Sequence, residues 1–444
     1  IKLRPGTNVA VLNMMLHFII KNKLYNVDFV RDRTEGFDNF IKEIERQDVD
    51  ELARVAGVDK QLVKEAAIAY ATAKNSMEFH GLGVTEQEQG SKTVMLIADL
   101  AMITGNIGRK GVGVNPLRGQ NNVQGAADMG CQPHQGAGYF EVADEKNQKF
   151  YTEKYGVTHP TKAGLKIPQM FEAAINKELK GLWIIGEDIV QTDPNSAHVV
   201  DAMNSLELLV VQEIFMSETA KLATVVLPGT TFLEKDGTFT NTERRIQRVN
   251  RAVPPLPGTK PDGLIVTDMM QKLGFDQPTY DADQVLGEIA DVVPFFKGVT
   301  RERLGKLGLQ WPVKEDGTDT QILHTETFKL GKGRLKNFDW KESSEIEANQ
   351  KDYPLILTTS RVLQHYNAAT MTRRTKNINI VDEDVLLIHP KDAAYRELNT
   401  GDIGRLYSGR GEVALKVEVT DKVKEGIVFT TFHFPEHMVN MVTG

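Results

Sequence analysis

An arginine set among glycines and amides is the residue of this chain best suited to chemistry. Residues 114–130 read VNPLRGQNNVQGAADMG: Asn115-Pro116 and Leu117 lead into Arg118, Gly119, Gln120, Asn121, Asn122, Gln124 and Gly125. Helices and strands do not need such a composition, and a solvated loop would carry Lys, Glu and Ser instead. Glycine lets the backbone come close to a ligand. Amides offer donors and acceptors together, and one guanidinium can grip a carboxylate or phosphate with two parallel bonds. The run therefore reads as the wall of a ligand pocket with one arginine directed at a small anion. The other reading is a polar loop between domains.

A second set of polar residues stands at the ends of apolar runs. LKGLWIIGED ends in Gly186-Glu187-Asp188, LELLVVQEIF carries Gln212-Glu213, and ATVVLPG ends in Pro228-Gly229. Runs that are apolar throughout, separated by helical segments, predict a parallel sheet covered on both faces. Ligands of such sheets bind outside the carboxyl ends of the strands, where Asp188, Gln212 and Glu213 fall. A carboxylate there can accept paired donors from a guanine edge, or it can cap the turn or helix that follows; the residues alone leave both open. Basic residues cluster at Arg244-Arg245 and at Arg373-Arg374 with Lys376, patches that suit a few bound phosphates.

The elements that must hold these residues are legible in outline. Val9, Leu12, Met15 and Phe18 recur at helical spacing and predict a helix over Asn8 to Ile20. A second helix begins near Lys60 and runs through Ala66, Ala67 and Ala73, all good helix formers. A strand signal over Met77 to Val84 dissolves into glycine, and a third helix from Thr93 to Ile103 stops at Gly105. The stretch 233–345 is mixed, loop-rich at PPLPGTKPDG and helical from Asp281 to Val293. From Tyr353 onward short strands follow one another: YPLILTT, VLLIHP, DIGRLYS, GEVALKVEV and GIVFTTF. Turn signals such as NTGD and SGRG separate them, which predicts a small β-barrel.

At 444 residues the chain has room for roughly two to four compact units. Its apolar content of 41% and charged content of 25% describe a globular protein with ample core. A net charge of −7 and a pI near 5.9 exclude broad nucleic-acid binding, which needs a basic face. Cys131 stands alone, so no internal disulfide or multi-cysteine metal or iron–sulfur site can form within these residues. No apolar segment is long enough to span a bilayer. The first residue is Ile1 rather than Met, and the N-terminus reads as an internal point of a longer polypeptide.

The arginine loop closely resembles that of molybdenum- or tungsten-dependent formate dehydrogenases, whose catalytic subunit carries two pterin–guanine dinucleotides on one metal. The resemblance continues in order through Gly186-Glu187-Asp188, Val225-Val226-Leu227-Pro228, Asp236-Gly237-Thr238-Phe239-Thr240-Asn241, His365-Tyr366-Asn367 and Met371-Thr372-Arg373-Arg374. It implies an α/β multidomain fold, with parallel-sheet dinucleotide-binding domains and a C-terminal β-barrel like that of dimethyl sulfoxide reductase. The implied divisions are a partial pterin-dinucleotide domain over 1–120, a Rossmann-like dinucleotide-binding domain over 121–232, a connecting subdomain over 233–345 and the barrel over 346–444. By the same resemblance Arg118 is catalytic and holds the formate carboxylate, while Gly119 and Gln120 meet the cofactor. Asp188, Thr192, Gln212, Glu213 and Asp262 match positions that bind one guanosine moiety. Arg361, His365, Tyr366 and Asn367 match the segment that caps the pterins, and Asn440 matches an amide facing them.

Two departures stand out. Glu86 in GVTEQEQG occupies a place where relatives often have an amide, and Cys131 does not match the metal's cysteine or selenocysteine ligand. That ligand and an iron–sulfur domain with a [4Fe-4S] cluster are expected upstream of Ile1, so this chain supplies no metal ligand. The implied reaction interconverts formate and CO2, with electrons leaving to a subunit carrying iron–sulfur or flavin centres. Expected location is cytoplasmic, with the periplasm left open; nucleic acid is not an expected partner. A related enzyme acting on nitrate or another oxo-anion is one alternative, and a cofactor-free structural subunit of an electron-transfer complex is another. The pairing of Arg118 with His365 favours formate, and intact Arg118, Gln120, Asp188 and His365 argue against the structural subunit.

Overall fold

The structure, a computed structural model, describes residues 1–444. Its first body is built round helix α1 (Asn8–Lys21), which is apolar on nearly every side and buries Val9, Met14, Leu16, Ile19 and Ile20. Such a helix must be surrounded. Helices α2 (Lys60–Thr72) and α3 (Gly90–Thr104) do so together with Val49–Ala56, and Val63, Ala67, Leu96, Leu100 and Ile103 complete the core. Gly105 ends α3 in the left-handed conformation, as its position predicts.

The strand signal before the glycines is real: β1 (Met77–His80) pairs in parallel with β2 (Gly113–Pro116), with His80 opposite Pro116. The amide of Leu117 then donates to the His80 carbonyl at 2.7 Å. The arginine loop thus leaves the carboxyl end of a parallel strand pair. A late segment returns to this body: Gly333-Arg334 pairs with Thr34-Glu35, and Leu335, Phe338 and Trp340 pack on its core.

Three further strands, β3 (Gly181–Ile185), β4 (Leu208–Glu213) and β5 (Val225–Pro228), form a parallel sheet in that order. Ile184, Leu209 and Val211 bury one face against Phe171, Ala174, Val199, Ala202 and Met203, which come from helices Ile167–Ile175 and Ser196–Asn204. The expectation of cover on both faces is corrected here. Ile185, Leu208 and Val225 on the second face are 49%, 45% and 43% exposed, because no helix of these residues lies across them. Next, β6 (Gly237–Thr240) and β7 (Arg245–Val249) form an antiparallel hairpin joined by Leu309-Gln310. Ile246, Leu286, Phe296, Leu304 and Val313 make the core beneath it.

The five C-terminal strands are β8 (Ile356–Ser360), β9 (Val385–Ile388), β10 (Ile403–Tyr407), β11 (Glu412–Val419) and β12 (Ile427–Thr431). They form one mixed sheet in the order β8-β12-β9-β11-β10, and its outer strands β8 and β10 are not hydrogen-bonded to each other. In β11, Val413, Leu415 and Val417 are buried while Glu412, Ala414 and Lys416 face out, the period of two that a one-sided sheet requires.

Candidate functional site

Arg118 stands at the start of its loop, exposed, with its backbone amide bonded to Thr242 Oγ1 at 3.2 Å. Its Nε donates to Gln124 Oε1 at 3.0 Å, and its two terminal amino groups bond to no protein atom. Gln124 is itself buried and donates from Nε2 to Asp128 Oδ1 at 2.9 Å and to the Tyr139 hydroxyl at 3.0 Å. Asn122 takes a left-handed conformation (φ 62°), which puts its Oδ1 2.9 Å from the Thr240 amide at the end of β6. Gly125 makes that contact possible, because a Cβ there would sit 2.2 Å from Asn122 Oδ1. The segment Asp236–Asn241 therefore serves as the frame on which the arginine loop is hung. His80 is buried at the end of β1; burial, and then the nearby Arg118 charge, lower its pKa below the ordinary histidine value, and its Nδ1 has no partner.

The strand ends of the parallel sheet gather the second group. Gln212 is 1% exposed; its Nε2 donates to Asp262 Oδ1 at 2.7 Å while its Oε1 is buried without any partner. Lys235 bonds to the other Asp262 oxygen. Thr230, just past β5, is also buried with an unpaired hydroxyl. Burial, above all, raises the Glu213 carboxyl above the ordinary range, with Asp188 and Asp262 adding to it. Asp188 has taken the capping role that its position left open: Oδ1 accepts from Thr219 N at 2.9 Å and Thr219 Oγ1 at 2.7 Å, and Oδ2 from Glu218 N at 3.3 Å. The Gln212 carbonyl oxygen is thus a free buried acceptor and the Thr230 hydroxyl a free buried donor and acceptor, polar groups that a ligand edge could pair.

The C-terminal segment closes on both groups. The Tyr366 hydroxyl accepts from the Asn121 amide at 3.1 Å and so touches the arginine loop. Arg361 lies over the Phe432 ring, 4.7 Å from its centroid, and bonds to Asn367 Oδ1 at 3.2 Å. Arg374 lies over Phe215, 4.4 Å from the ring centre, beside the end of β4. Asn367 and Ala369 both have positive φ (49° and 56°), a strained turn of the kind stored at functional sites. Gln191 ties the two bodies together: its Nε2 donates to the Ala368 and Phe432 carbonyls, and its Oε1 accepts from Arg373 at 3.2 Å. Asn440 Nδ2 donates to the Gln191 and Thr192 carbonyls at 2.8 and 3.1 Å, so this amide faces the α/β body. His365 is 4% exposed, and both ring nitrogens are engaged, with Thr372 Oγ1 at 3.0 Å and the Val381 carbonyl at 2.7 Å. Its ring braces the turn from within; the exposed members of the segment are Arg361, Leu363 and Tyr366.

Arg118, Arg361, Arg373 and Arg374 have no carboxylate within ion-pairing distance, unlike Arg4, Arg46, Arg301 and Arg410. The Gln212 and Thr230 oxygens are likewise without partners, and Leu117, Leu363, Tyr366 and Met371 are exposed. Gln120 is exposed beside Arg118, and its side chain makes no bond within the protein. Sequence reasoning placed Gln124 in the loop without its link to Asp128, and missed Tyr139, Trp311, Gln191 and His433. Gln124 and Asp128 both lay within the loop, but only their four-residue spacing on one helix, Val123–Asp128, hinted that they touch.

Two family models match the chain: "Molybdopterin oxidoreductase" over residues 1–272 and "Molydopterin dinucleotide binding domain" over residues 355–444. The F420-dependent formate dehydrogenase subunit alpha of Methanocaldococcus jannaschii is 42% identical over 443 residues, covering 99% of this chain and 65% of that protein. Formate dehydrogenase H of Escherichia coli is 34% identical over 449 residues, covering 98% of this chain and 62% of the relative. The chain thus spans just under two thirds of the length of these relatives, and less than half of some others that it matches. Among solved structures, acetylene hydratase from Pelobacter acetylenicus superposes over the whole chain and 66% of its own, with a TM-score of 0.72 at 18% identity.

Proposed function

This chain belongs to the molybdopterin oxidoreductase family, and from that premise we propose that it is part of the catalytic subunit of a formate dehydrogenase. The reaction is the interconversion of formate and CO2. The carrying observation is Arg118, an unpaired guanidinium held through Nε so that its terminal fork is free. Formate is almost entirely carboxylate, and the planar fork matches it where a lysine ammonium would not. The names of the relatives support this substrate; the fold alone does not, since the same architecture serves acetylene hydratase.

Gln212, Glu213 and Asp262 would take a guanine edge, with Asp188 and Thr192 shaping the turn beside them. Arg361 and Arg374 would meet phosphates, while Gly119, Gln120, Tyr366 and Asn367 would line the space beside them; Asn440, buried with its amide on the Gln191 and Thr192 carbonyls, would brace that seam from within. We assign His365 the support of that turn. When bound, the molybdenum or tungsten bis-pterin group supplies a two-electron acceptor. This chain's own share is binding, orientation and charge. A [4Fe-4S] cluster and an electron-accepting subunit belong to the same proposal. Arg118→Lys in the complete enzyme tests it: loss of the oriented fork should cut formate turnover about a hundredfold or more, with metal and pterin contents unchanged. Turnover that falls by no more than about threefold, less than a single lost hydrogen bond should cost, would refute the role of Arg118.

A further inference from the structure

We infer that Gln124 and Asp128, backed by Tyr139 and Trp311, are positioning residues that fix the guanidinium plane of Arg118 and leave its charge free for a small anion. The inference rests on the proposed reading of Arg118 as the group that binds substrate. Asp128 is completely buried and accepts three hydrogen bonds: from Gln124 Nε2 at 2.9 Å, from the Tyr139 hydroxyl at 2.7 Å, both on Oδ1, and from Trp311 Nε1 at 2.9 Å on Oδ2. The Tyr139 hydroxyl in turn accepts from Gln124 Nε2 at 3.0 Å. Both acceptors thus face the nitrogen of the Gln124 amide. With that nitrogen committed, the amide oxygen can point only at Arg118 Nε, which it meets at 3.0 Å. The reverse orientation would set N–H against N–H at the arginine and oxygen against oxygen at Asp128.

The choice of an amide matters chemically. A carboxylate at position 124 would neutralise Arg118 and set oxygen against oxygen at Asp128, and a neutralised arginine binds anions poorly. Placing the carboxylate one residue further back, behind a neutral amide, keeps the orientation and spares the charge. The parts of this clamp come from distant places. Gln124 and Asp128 share the short helix after the loop, Tyr139 has a left-handed backbone (φ 61°), and Trp311 packs on the hairpin core just after the strand pair Leu309-Gln310. Tyr139 is stacked on Phe295, which packs in turn against Trp311, with ring centres 5.9 and 4.8 Å apart, so the clamp is seated on a rigid aromatic base.

The test uses the full-length holoenzyme with Gln124→Met, Asp128→Asn and Tyr139→Phe. Metal and pterin contents, kcat and KM for formate are measured, together with nitrate, a planar monoanion, as a direct binding probe. With cofactor retained, Gln124→Met and Asp128→Asn should raise the formate KM and weaken nitrate by about tenfold, the size of one lost charged hydrogen bond. Tyr139→Phe, which keeps the volume and the fold, should move both in the same direction by about threefold. Gln124→Glu should weaken nitrate and also lower the thermal midpoint, because it puts a carboxylate oxygen where the amide nitrogen now lies 2.9 Å from the buried Asp128 Oδ1. Unchanged KM and nitrate affinity in variants that retain cofactor would overturn the clamp, and if Asp128→Asn does not fold, Gln124→Met and Tyr139→Phe decide. A wild-type enzyme that binds nitrate but does not oxidise formate would sink the substrate reading alone; the nitrate series would then decide the clamp by itself.

Discussion

Asp99→Asn should make this protein more stable above neutral pH and leave it nearly unchanged in acid. Asp99 lies on α3, 2% exposed among Leu96, Leu100 and Ile103, and its one hydrogen bond is a long one, 3.4 Å from the Lys336 amide. Burial drives its pKa up to about 8, only partly opposed by that amide. In the unfolded chain the same carboxyl ionises near its ordinary value of 3.8. Below that value both states hold the proton and the residue costs nothing. Between about pH 4 and 8 the unfolded state has lost a proton that the folded state keeps, so stability falls with rising pH and levels off above 8. A gap of about four pH units at about 1.36 kcal/mol each sets a ceiling near 5 kcal/mol; local opening that admits water would bring this to about 3 kcal/mol. Asparagine keeps the shape and the acceptor and does not titrate. Trp340 packs on the same core and bonds to the Gly6 carbonyl, so its fluorescence reports unfolding of this body. Urea unfolding of wild type and variant at pH 4.5 to 9 should give curves about 1 kcal/mol apart at the acid end and about 3–5 kcal/mol apart at the alkaline end. Glu78, also pushed up to about 8 by burial, is present in both proteins and cancels in the difference. Parallel pH profiles, or a variant less stable at pH 9, would refute the reasoning.

Three further outcomes are expected. Gly125→Ala forces a Cβ against Asn122 Oδ1; it should cost about 1–3 kcal/mol and raise the formate KM, both checked on the purified enzyme. Gln212→Leu and Asp188→Ala should lower the pterin content of purified enzyme before they alter the formate KM, the first by removing an unpaired acceptor and the second by undoing the cap on Thr219. Normal cofactor loading with a changed KM would reverse that assignment. Residues 1–444 expressed alone should fold in part, since the first body, the parallel sheet and the C-terminal sheet each have their own core; they should show no dye-linked formate oxidation, and stoichiometric metal with steady turnover would contradict this.

Local chemistry determined much of this protein. The periodicity of α1, the left-handed stop at Gly105, the three all-apolar strands and the alternation in β11 each follow from a rule that acts within about ten residues, and the structure has them where the residues predict. The arginine loop stood out for the same reason: its run of glycines and amides is a composition that close contact with a ligand would use. What sequence could not supply was pairing. An apolar strand demands cover without saying what provides it, and here the second face of the parallel sheet is left partly bare at Ile185, Leu208 and Val225. A histidine in a promising motif does not announce its partners, and His365 turned inward to Thr372 and Val381. Asp188 could cap or recognise, and only the arrival of Thr219 from the next strand–helix turn decided that its Oδ1 caps. The clamp behind Arg118 joins residues 118, 124, 128, 139 and 311, and the last of these is brought in by chain reversals that no local pattern encodes. Hydrogen bonds reach about 3 Å while the sequence separation runs to 183 residues; the tertiary fold alone closes that distance.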